Sequence, residues 1–207
     1  MYMTKLSLDV NSRATVSYLA NLERIHGMIE SAFPGGRKRR LWRVDTWNNQ
    51  PFVLVVSEDK PDFSNNSHHA PIQEWETRDY APLLEKLEAG QQWRFRLCAN
   101  PTHAVSPGKG KRGKVYAHVT TEQQQQWLYE RQEQMGIRLD PEGFRVVGSQ
   151  WKNFNKGKSR RHTVHVKTAV YEGVLTITDP ERFREILTTG VGRAKAYGCG
   201  LLTIAHM

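Results

Sequence analysis

The sequence has few cysteines and no long apolar run. Its 207 residues include only Cys98 and Cys199, and these lack the paired spacing of disulfide frameworks and zinc sites. No apolar stretch approaches the length of about eighteen residues that a membrane-spanning helix needs. The first ten residues alternate like a strand and do not form the apolar region of a signal peptide. We therefore expect a soluble, cytoplasmic protein with no membrane partner.

Acidic residues are absent from two long segments. Six Lys or Arg residues lie between Glu88 and Glu122, and seven lie between Glu142 and Glu172. The formal net charge of the chain is +9, so these two segments hold more than the whole excess. Positive charge concentrated in this way predicts a polyanionic partner. We expect nucleic acid and not a membrane surface, because neither segment forms an amphipathic helix with a bulky apolar face.

Apolar spacing along the chain predicts an α+β fold. Residues 4–10 alternate like a strand, and apolar residues then repeat at helical spacing from Tyr18 to Phe33. The order strand, helix, strand, strand, helix, strand occurs twice. The first copy continues with residues 41–47, 52–57, 81–88 and 93–98. The second copy comprises residues 115–119, 121–135, 144–151, 164–178, 180–188 and 201–205.

Two tandem ferredoxin-like domains, each a split βαβ unit of the RRM type, are the simplest architecture for this order. We place the N-terminal domain at residues 1–100, a basic Gly-rich linker at 101–113 and the C-terminal domain at 114–207. Neither half contains the RNP1 pattern of a basic residue, glycine and aromatics. Any RNA would therefore be bound by basic loops and not by a platform of stacked aromatic residues.

A glycine-rich segment near the end of the sequence suits a phosphate chain. Glycine permits positive φ and close approach of another backbone, and cations in such a loop can hold phosphate. The segment lacks the helix start and the later acidic residue of a dinucleotide-binding motif. The alternative is a plain turn before the last strand. The candidate residues are Gly190, Gly192, Arg193, Lys195, Gly198 and Gly200.

Two further basic clusters are candidates for RNA binding. A basic tip on the predicted hairpin between Trp151 and Val164 suits the groove and backbone of an RNA stem, although a solvated loop is the alternative. Arg39, within the basic run 37–40, is a weaker candidate. The residues of the hairpin tip are Lys156, Lys158, Arg160 and Arg161.

His26 is the candidate catalytic residue among the eight histidines. It follows Ile25 at the edge of the apolar stripe of the first helix, with Glu23 and Glu30 on the same flank. A histidine in this place can be half-shielded and still reach a substrate, and a carboxylate can hold its ring and raise its pKa. The alternative is an ordinary boundary histidine with surface ion pairs. A metal site at Glu23 and His26 would need a second such pair, and none occurs.

Five segments, distributed along the whole chain, are similar to one known family. They are Thr4-Lys5 of the opening strand, the helix with His26, FRLCANP (95–101), YEGVL (171–175) and GVGRAKAYGCGLL (190–202). In these segments the chain resembles the CasE family of CRISPR repeat-RNA endoribonucleases, which are subunits of the type I-E Cascade complex.

The resemblance implies two ferredoxin-like domains and cleavage of precursor CRISPR RNA at the base of the repeat hairpin. It implies that no metal or other cofactor takes part and that the product is retained. The implied partners are the CRISPR repeat RNA stem-loop and the other Cascade subunits. The main catalytic role falls on His26. Glu23 stands where family members can carry a tyrosine, so the resemblance assigns no second catalytic group.

The residues available fit this chemistry. RNA carries its own nucleophile, the 2′-hydroxyl, so the protein has to position that group in line with the phosphate. A histidine can take the 2′ proton or protonate the leaving 5′ oxygen, which is worth about 10²–10⁴-fold, and cations stabilise the transition state. The expected products are a 2′,3′-cyclic phosphate and a 5′-hydroxyl. The competing hypothesis is a non-catalytic RNA-binding subunit of a ribonucleoprotein complex, and a more remote one is a ribosomal or assembly protein.

Overall fold

The structure is a computed structural model that describes residues 1–207 except 37, 65–69, 107, 109–112, 156 and 158–162. No described helix has both the length and the apolar character needed to cross a membrane. The strands are β1 (Tyr2–Leu8), β2 (Leu41–Trp47), β3 (Gln50–Ser57), β4 (Ile72–Asp79), β5 (Gln92–Ala99), β6 (Thr102–Val105), β7 (Lys114–Ala117), β8 (Ile137–Asn155), β9 (Thr163–Ile177) and β10 (Leu202–Ala205). The helices are α1 (Arg13–Ala20), α2 (Leu22–Ser31), α3 (Ala81–Glu85), α4 (Thr121–Tyr129) and α5 (Pro180–Thr189), and a 3-10 turn spans Lys195–Tyr197.

Two four-stranded antiparallel sheets form the framework of the molecule. Their strand orders are β2-β3-β1-β4 and β10-β5-β9-β8. In each sheet the first strand of the unit lies between the third and the fourth, which is the arrangement of a ferredoxin-like unit. The predicted α+β fold with two tandem ferredoxin-like domains is therefore confirmed.

One predicted strand lies in the other sheet. The sequence predicts residues 93–98 as the last strand of the first unit, but β5 is the first strand of the second sheet, between β9 and β10. The first sheet ends instead with β4, whose residues are mostly exposed and polar, so it shows no apolar alternation. The strand predicted at 115–119 is β7, which pairs with β6 in a small hairpin. The chain thus passes from the first sheet to the second between β4 and β5, upstream of the boundary predicted at residue 100. The division into folding domains stays a prediction.

The first predicted helix is divided in two at Asn21. The backbone of Asn21 is extended (φ −132°, ψ 99°), and its side-chain oxygen accepts a hydrogen bond of 3.1 Å from the Glu23 amide. Asparagine is a favoured N-cap, so α1 ends here and α2 begins. Buried Leu22, Ile25 and Ile29 hold α2 against the first sheet, which fixes the position of His26.

After β7, the elements of the second unit follow the predicted order, although α4 ends at Tyr129 and not at residue 135. The long β8–β9 hairpin and helix α5 lie where the sequence places them. Thr120 caps helix α4, where it forms a capping box with Gln123.

A buried ion network joins the two sheets. The guanidinium of Arg43, on β2, donates hydrogen bonds to the main-chain oxygens of Arg96 (2.8 Å) and Leu201 (3.0 Å) and to the hydroxyl of Thr203 (2.8 Å). Asp45 accepts from Arg43 Nε (2.8 Å) and from Arg96 Nε (2.9 Å). This network fixes β2 against β5 and β10, and so positions the first unit beside the glycine-rich segment that precedes β10.

Candidate nucleic-acid interface and active site

The glycine-rich segment is a compact loop with a left-handed backbone. Gly190, Gly192, Gly198 and Gly200 have φ values of 76°, 74°, 75° and 93°, so the positive φ expected from the sequence is confirmed. A main-chain hydrogen bond from Val191 N to the Gly200 oxygen (2.9 Å) closes the loop, and a second from Gly200 N to the oxygen of Cys98 (2.7 Å) joins it to β5. The loop is therefore anchored to β5 of the second sheet.

Glycine is required in this loop by close neighbours as well as by backbone angles. A Cβ atom on Gly198 would lie 2.8 Å from the ring of Trp42, on β2, and one on Gly192 would lie 3.1 Å from the ring of Trp127, on α4. The two ends of the loop thus contact different units of the molecule.

The two cations of the loop have different environments. Lys195 Nζ donates hydrogen bonds to the main-chain oxygens of Thr189 (2.6 Å) and Gly190 (2.8 Å), at the end of α5, where a positive charge is favourable. Burial, with a contribution from nearby Arg39, lowers the pKa of Lys195. Lys195 therefore has a role in the fold, while Arg193 and Arg39 are exposed. Contact of these three residues with RNA stays a prediction.

His26 lies half-buried on α2. Its Nδ1 atom is buried and has no hydrogen-bond partner among the described residues. The sequence suggests that Glu30 could hold the imidazole, but Glu30 forms an ion pair of 2.6 Å with Arg40, whose guanidinium lies 4.0 Å from the Phe33 ring centre. Glu30 is thus paired with Arg40 in this structure, and a carboxylate contact to the imidazole stays a prediction.

Three elements meet at α2. The helix contacts the 3-10 turn of the glycine-rich loop and the far end of β8. Tyr197 of that turn packs on the apolar core below α2, and its ring centre is 4.9 Å from that of Phe154, near the end of β8. The structure therefore brings together the helix of His26, the glycine-rich loop and the base of the predicted basic hairpin. The residues predicted for the tip, Lys156, Lys158, Arg160 and Arg161, lie outside the described residues.

A cleft of about 290 Å³ opens between these elements. Leu22, Trp42, Lys152 and Tyr197 line it, together with Cys98. Neither Lys152 nor Tyr197 was among the candidate residues predicted from the sequence. Lys152 belongs to the second acid-free segment and Tyr197 to the glycine motif, so both signals were present but did not distinguish these residues from their neighbours.

The two cysteines, far apart in sequence, are neighbours beside this cleft and are free thiols. A hydrogen bond between them lowers the pKa of Cys98 and raises that of Cys199. In the described part of the chain, no three His, Cys, Asp or Glu side chains form a group that could hold a metal ion.

The fold, together with the exposed Arg193 of the glycine-rich loop and Lys152 in the cleft wall, defines a protein of tandem ferredoxin-like units with a candidate nucleic-acid interface. The family model described as CRISPR associated protein matches residues 1–206, and the chain belongs to this family. It is similar to the CRISPR-associated endoribonuclease Cse3 of Thermus thermophilus, with 33% identity over 219 residues that cover 99% of this chain and 100% of the relative. It is also 32% identical to the Cascade subunit CasE of Escherichia coli over 131 residues, 59% of this chain and 62% of the relative.

Solved structures of relatives have the same fold. A structure of the CRISPR endoribonuclease Cse3 bound to a 19-nucleotide RNA superposes with a TM-score of 0.84 at 32% identity, covering 99% of this chain and 100% of the other. Thermus thermophilus Cse3 bound to an RNA representing a pre-cleavage complex gives a TM-score of 0.80 at 32% identity, covering 99% and 98%. The resemblance to the CasE family that the sequence indicates is therefore confirmed.

Proposed function

We propose that this protein is an endoribonuclease that cleaves precursor CRISPR RNA within repeat stem-loops and retains the product as a subunit of a Cascade complex. The observation that carries this proposal is the meeting of α2, which bears His26, with the glycine-rich loop and the end of β8. A relative that is 33% identical over nearly the whole chain is named an endoribonuclease, and structures of Cse3 hold RNA. These findings support the same activity here.

In the proposed reaction the 2′-hydroxyl oxygen attacks the adjacent phosphorus as the bond to the 5′ oxygen breaks. The 2′ proton passes to a base, and an acid supplies a proton to the leaving oxygen. His26 takes one of these two roles, because an imidazole can give or accept a proton near neutral pH. The reaction requires no metal, since the substrate supplies the nucleophile. It yields a 2′,3′-cyclic phosphate and a 5′-hydroxyl.

The cations around the cleft bind and orient the RNA in this proposal. Lys152 lies in the cleft wall, and the strand that carries it leads to the predicted tip. We assign the contacts with the stem to Lys156, Lys158, Arg160 and Arg161. Arg39 and Arg193 contact backbone phosphates, and the four glycines allow the strand to approach the loop closely. Positive charge near the scissile phosphate stabilises the charge that develops there.

The proposal is tested by incubating the protein with the repeat RNA of its own organism in excess EDTA. We expect cleavage at one position and a cyclic phosphate on the 5′ fragment. A 2′-deoxy substitution at the nucleotide 5′ of the break removes the nucleophile and should abolish the cut. Tight binding without cleavage would favour the non-catalytic RNA-binding subunit, and absence of binding would overturn both functions.

A further inference from the structure

A second cavity lies beside the glycine-rich loop, between α4 and the β6–β7 hairpin. Its volume is about 420 Å³, and it shares no lining residue with the cleft beside α2. Gly192 and Arg193 of the loop form one wall. The charged and titratable residues that line it are His103, His118, Glu130, Arg131 and Arg193.

The two histidines of this cavity face each other. Their ring centres are 4.7 Å apart, and His103 also lies 6.0 Å from the ring centre of Tyr116. The Nδ1 atom of His118 is buried and has no hydrogen-bond partner in the described part of the chain. Burial, then the neighbouring His103 and Arg131, lower the pKa of His118, against a smaller opposite effect of Glu130. Two imidazoles and the Arg131 guanidinium therefore lie close together at this cavity.

Two further side chains of the lining, Glu130 and Arg131, follow directly after α4. Together they leave the positive charge at the cavity largely uncompensated. Arg131 lies 4.2 Å from the ring centre of Trp127 and donates one hydrogen bond of 2.7 Å to its main-chain oxygen. A guanidinium has five donors, and the described residues accept from one nitrogen of Arg131, which leaves other donors for a ligand. Glu130, the single carboxylate among the described residues of the lining, accepts a hydrogen bond of 3.0 Å from Gln126.

We propose that this cavity binds a phosphodiester group of the RNA, at a site separate from the cleft beside α2. A guanidinium fork and protonated imidazoles are the donors that phosphate oxygens accept best. Gly192 is exposed and has a positive φ, so the backbone of the loop is accessible to the RNA strand. The inference rests on the proposed function, because it takes RNA as the ligand.

The site should make RNA binding sensitive to pH. An anion in the cavity favours the protonated imidazole and so raises the pKa of His118 when RNA binds. The added affinity is therefore present at low pH and disappears as the pH rises through the bound-state pKa. The charged and titratable groups that line the cavity with His118, among the described residues, are Glu130, Arg131, Arg193 and His103.

The test compares wild-type protein with the double variant His103→Ala, His118→Asn. Neither side chain makes a hydrogen bond that supports the fold in the described residues, and the single variant His103→Ala at an exposed position serves if the double variant unfolds. The matched control is His206→Ala, an exposed histidine that packs on Trp93. Affinity for the repeat stem-loop is measured at pH 6 and pH 8 over a range of salt concentrations.

We expect wild type and His206→Ala to bind several-fold more tightly at pH 6 than the double variant does. At pH 6 the log–log salt slope of the double variant should be smaller by about 0.7–0.9, the change that accompanies removal of one phosphate interaction. An unchanged slope and affinity would overturn the site while leaving the proposed function intact. Failure of wild type to bind RNA would instead overturn the proposed function.

A second arm separates RNA from free phosphate. The imidazole resonances of the wild-type protein are titrated by NMR with inorganic phosphate and with the repeat RNA. We expect both to raise the pKa of His118, and the RNA to do so at far lower concentration. A response to inorganic phosphate with none to RNA would overturn the assignment of the ligand as a phosphodiester of RNA.

Discussion

At the scale of single residues, the position of His26 allows its effect on catalysis to be tested separately from its effect on folding. The ring is at the edge of the buried face of α2, and its Nδ1 atom has no partner in the described chain. We expect His26→Ala to fold and to bind repeat RNA with near wild-type affinity. Its single-turnover cleavage should be at least about 10²-fold slower, the usual effect of losing a general acid or base.

The control for this variant is His165→Ala, since His165 is exposed and hydrogen-bonds Asn153 on the neighbouring strand. It should cleave RNA far faster than His26→Ala. Cleavage by His26→Ala at the wild-type rate would contradict the mechanism and leave the protein as an RNA binder.

Gly198 offers a second prediction at this scale. Its φ is 75°, and a Cβ atom would lie 2.8 Å from the Trp42 ring. Because both strain and crowding oppose alanine, Gly198→Ala should lower the free energy of unfolding by at least about 1–2 kcal/mol. Gly27→Ala is the matched control: Gly27 lies within α2, and a Cβ atom there meets nothing within 4 Å. It should stabilise the protein by about 0.5–1 kcal/mol. Denaturant unfolding measures both, and equal effects would contradict the argument.

Residue contacts were less predictable than residue types. The four glycines could be recognised because positive φ is a local property of the chain. The pairing of Glu30 with Arg40 could not, since the two residues come together only through the tertiary fold. The structural role of Lys195 could not be predicted either, because its ammonium group bonds a main-chain oxygen at the end of α5.

At the scale of elements, apolar periodicity located most helices and strands. The β8–β9 hairpin and α5 follow directly from it. Apolar periodicity did not locate β4, an exposed polar strand at the edge of its sheet. It also did not indicate to which of the two sheets β5 belongs. The partner of a strand is set by contacts far along the chain, so the pattern within β5 is the same in either sheet.

The hairpin tip carries the prediction that belongs to this scale. Replacing Arg160 and Arg161 with glutamine should weaken stem-loop binding strongly. For every phosphate that the tip no longer neutralises, the log–log salt slope should fall by about 0.7–0.9. The free energy of unfolding should change by less than about 0.5 kcal/mol per site, as is usual for surface changes.

Arg78→Gln is the matched control for the tip. Arg78 is an exposed arginine on β4, outside both acid-free segments, where it pairs with Glu76. Its replacement should leave RNA affinity unchanged. If the double variant at the tip binds like this control, the hairpin does not contact the RNA.

At the scale of the whole molecule, the Arg43 network holds the two sheets together. Arg43 and Asp45 are buried, and Arg43 bonds main-chain oxygens on both β5 and the segment before β10. Arg43→Met should lower the free energy of unfolding by about 3–5 kcal/mol, because it removes one of the two partners of buried Asp45 and the donor to two main-chain oxygens. Arg78→Met removes an exposed pair and should lower it by at most about 1 kcal/mol. Denaturant unfolding compares them, and similar decreases would show that the network does not hold the sheets.

The order of strands in the second sheet has a consequence for synthesis on the ribosome. All four strands of the first sheet lie within residues 2–79, so this sheet can pair while later residues are still being made. In the second sheet β5 pairs with β10, so the first strand of that unit pairs with its last strand. The second sheet and the Arg43 bond to Leu201 can therefore be completed only after residues 201–205 have left the exit tunnel. Until then the newly made first unit carries an arginine whose acceptors on the second sheet are not yet in place.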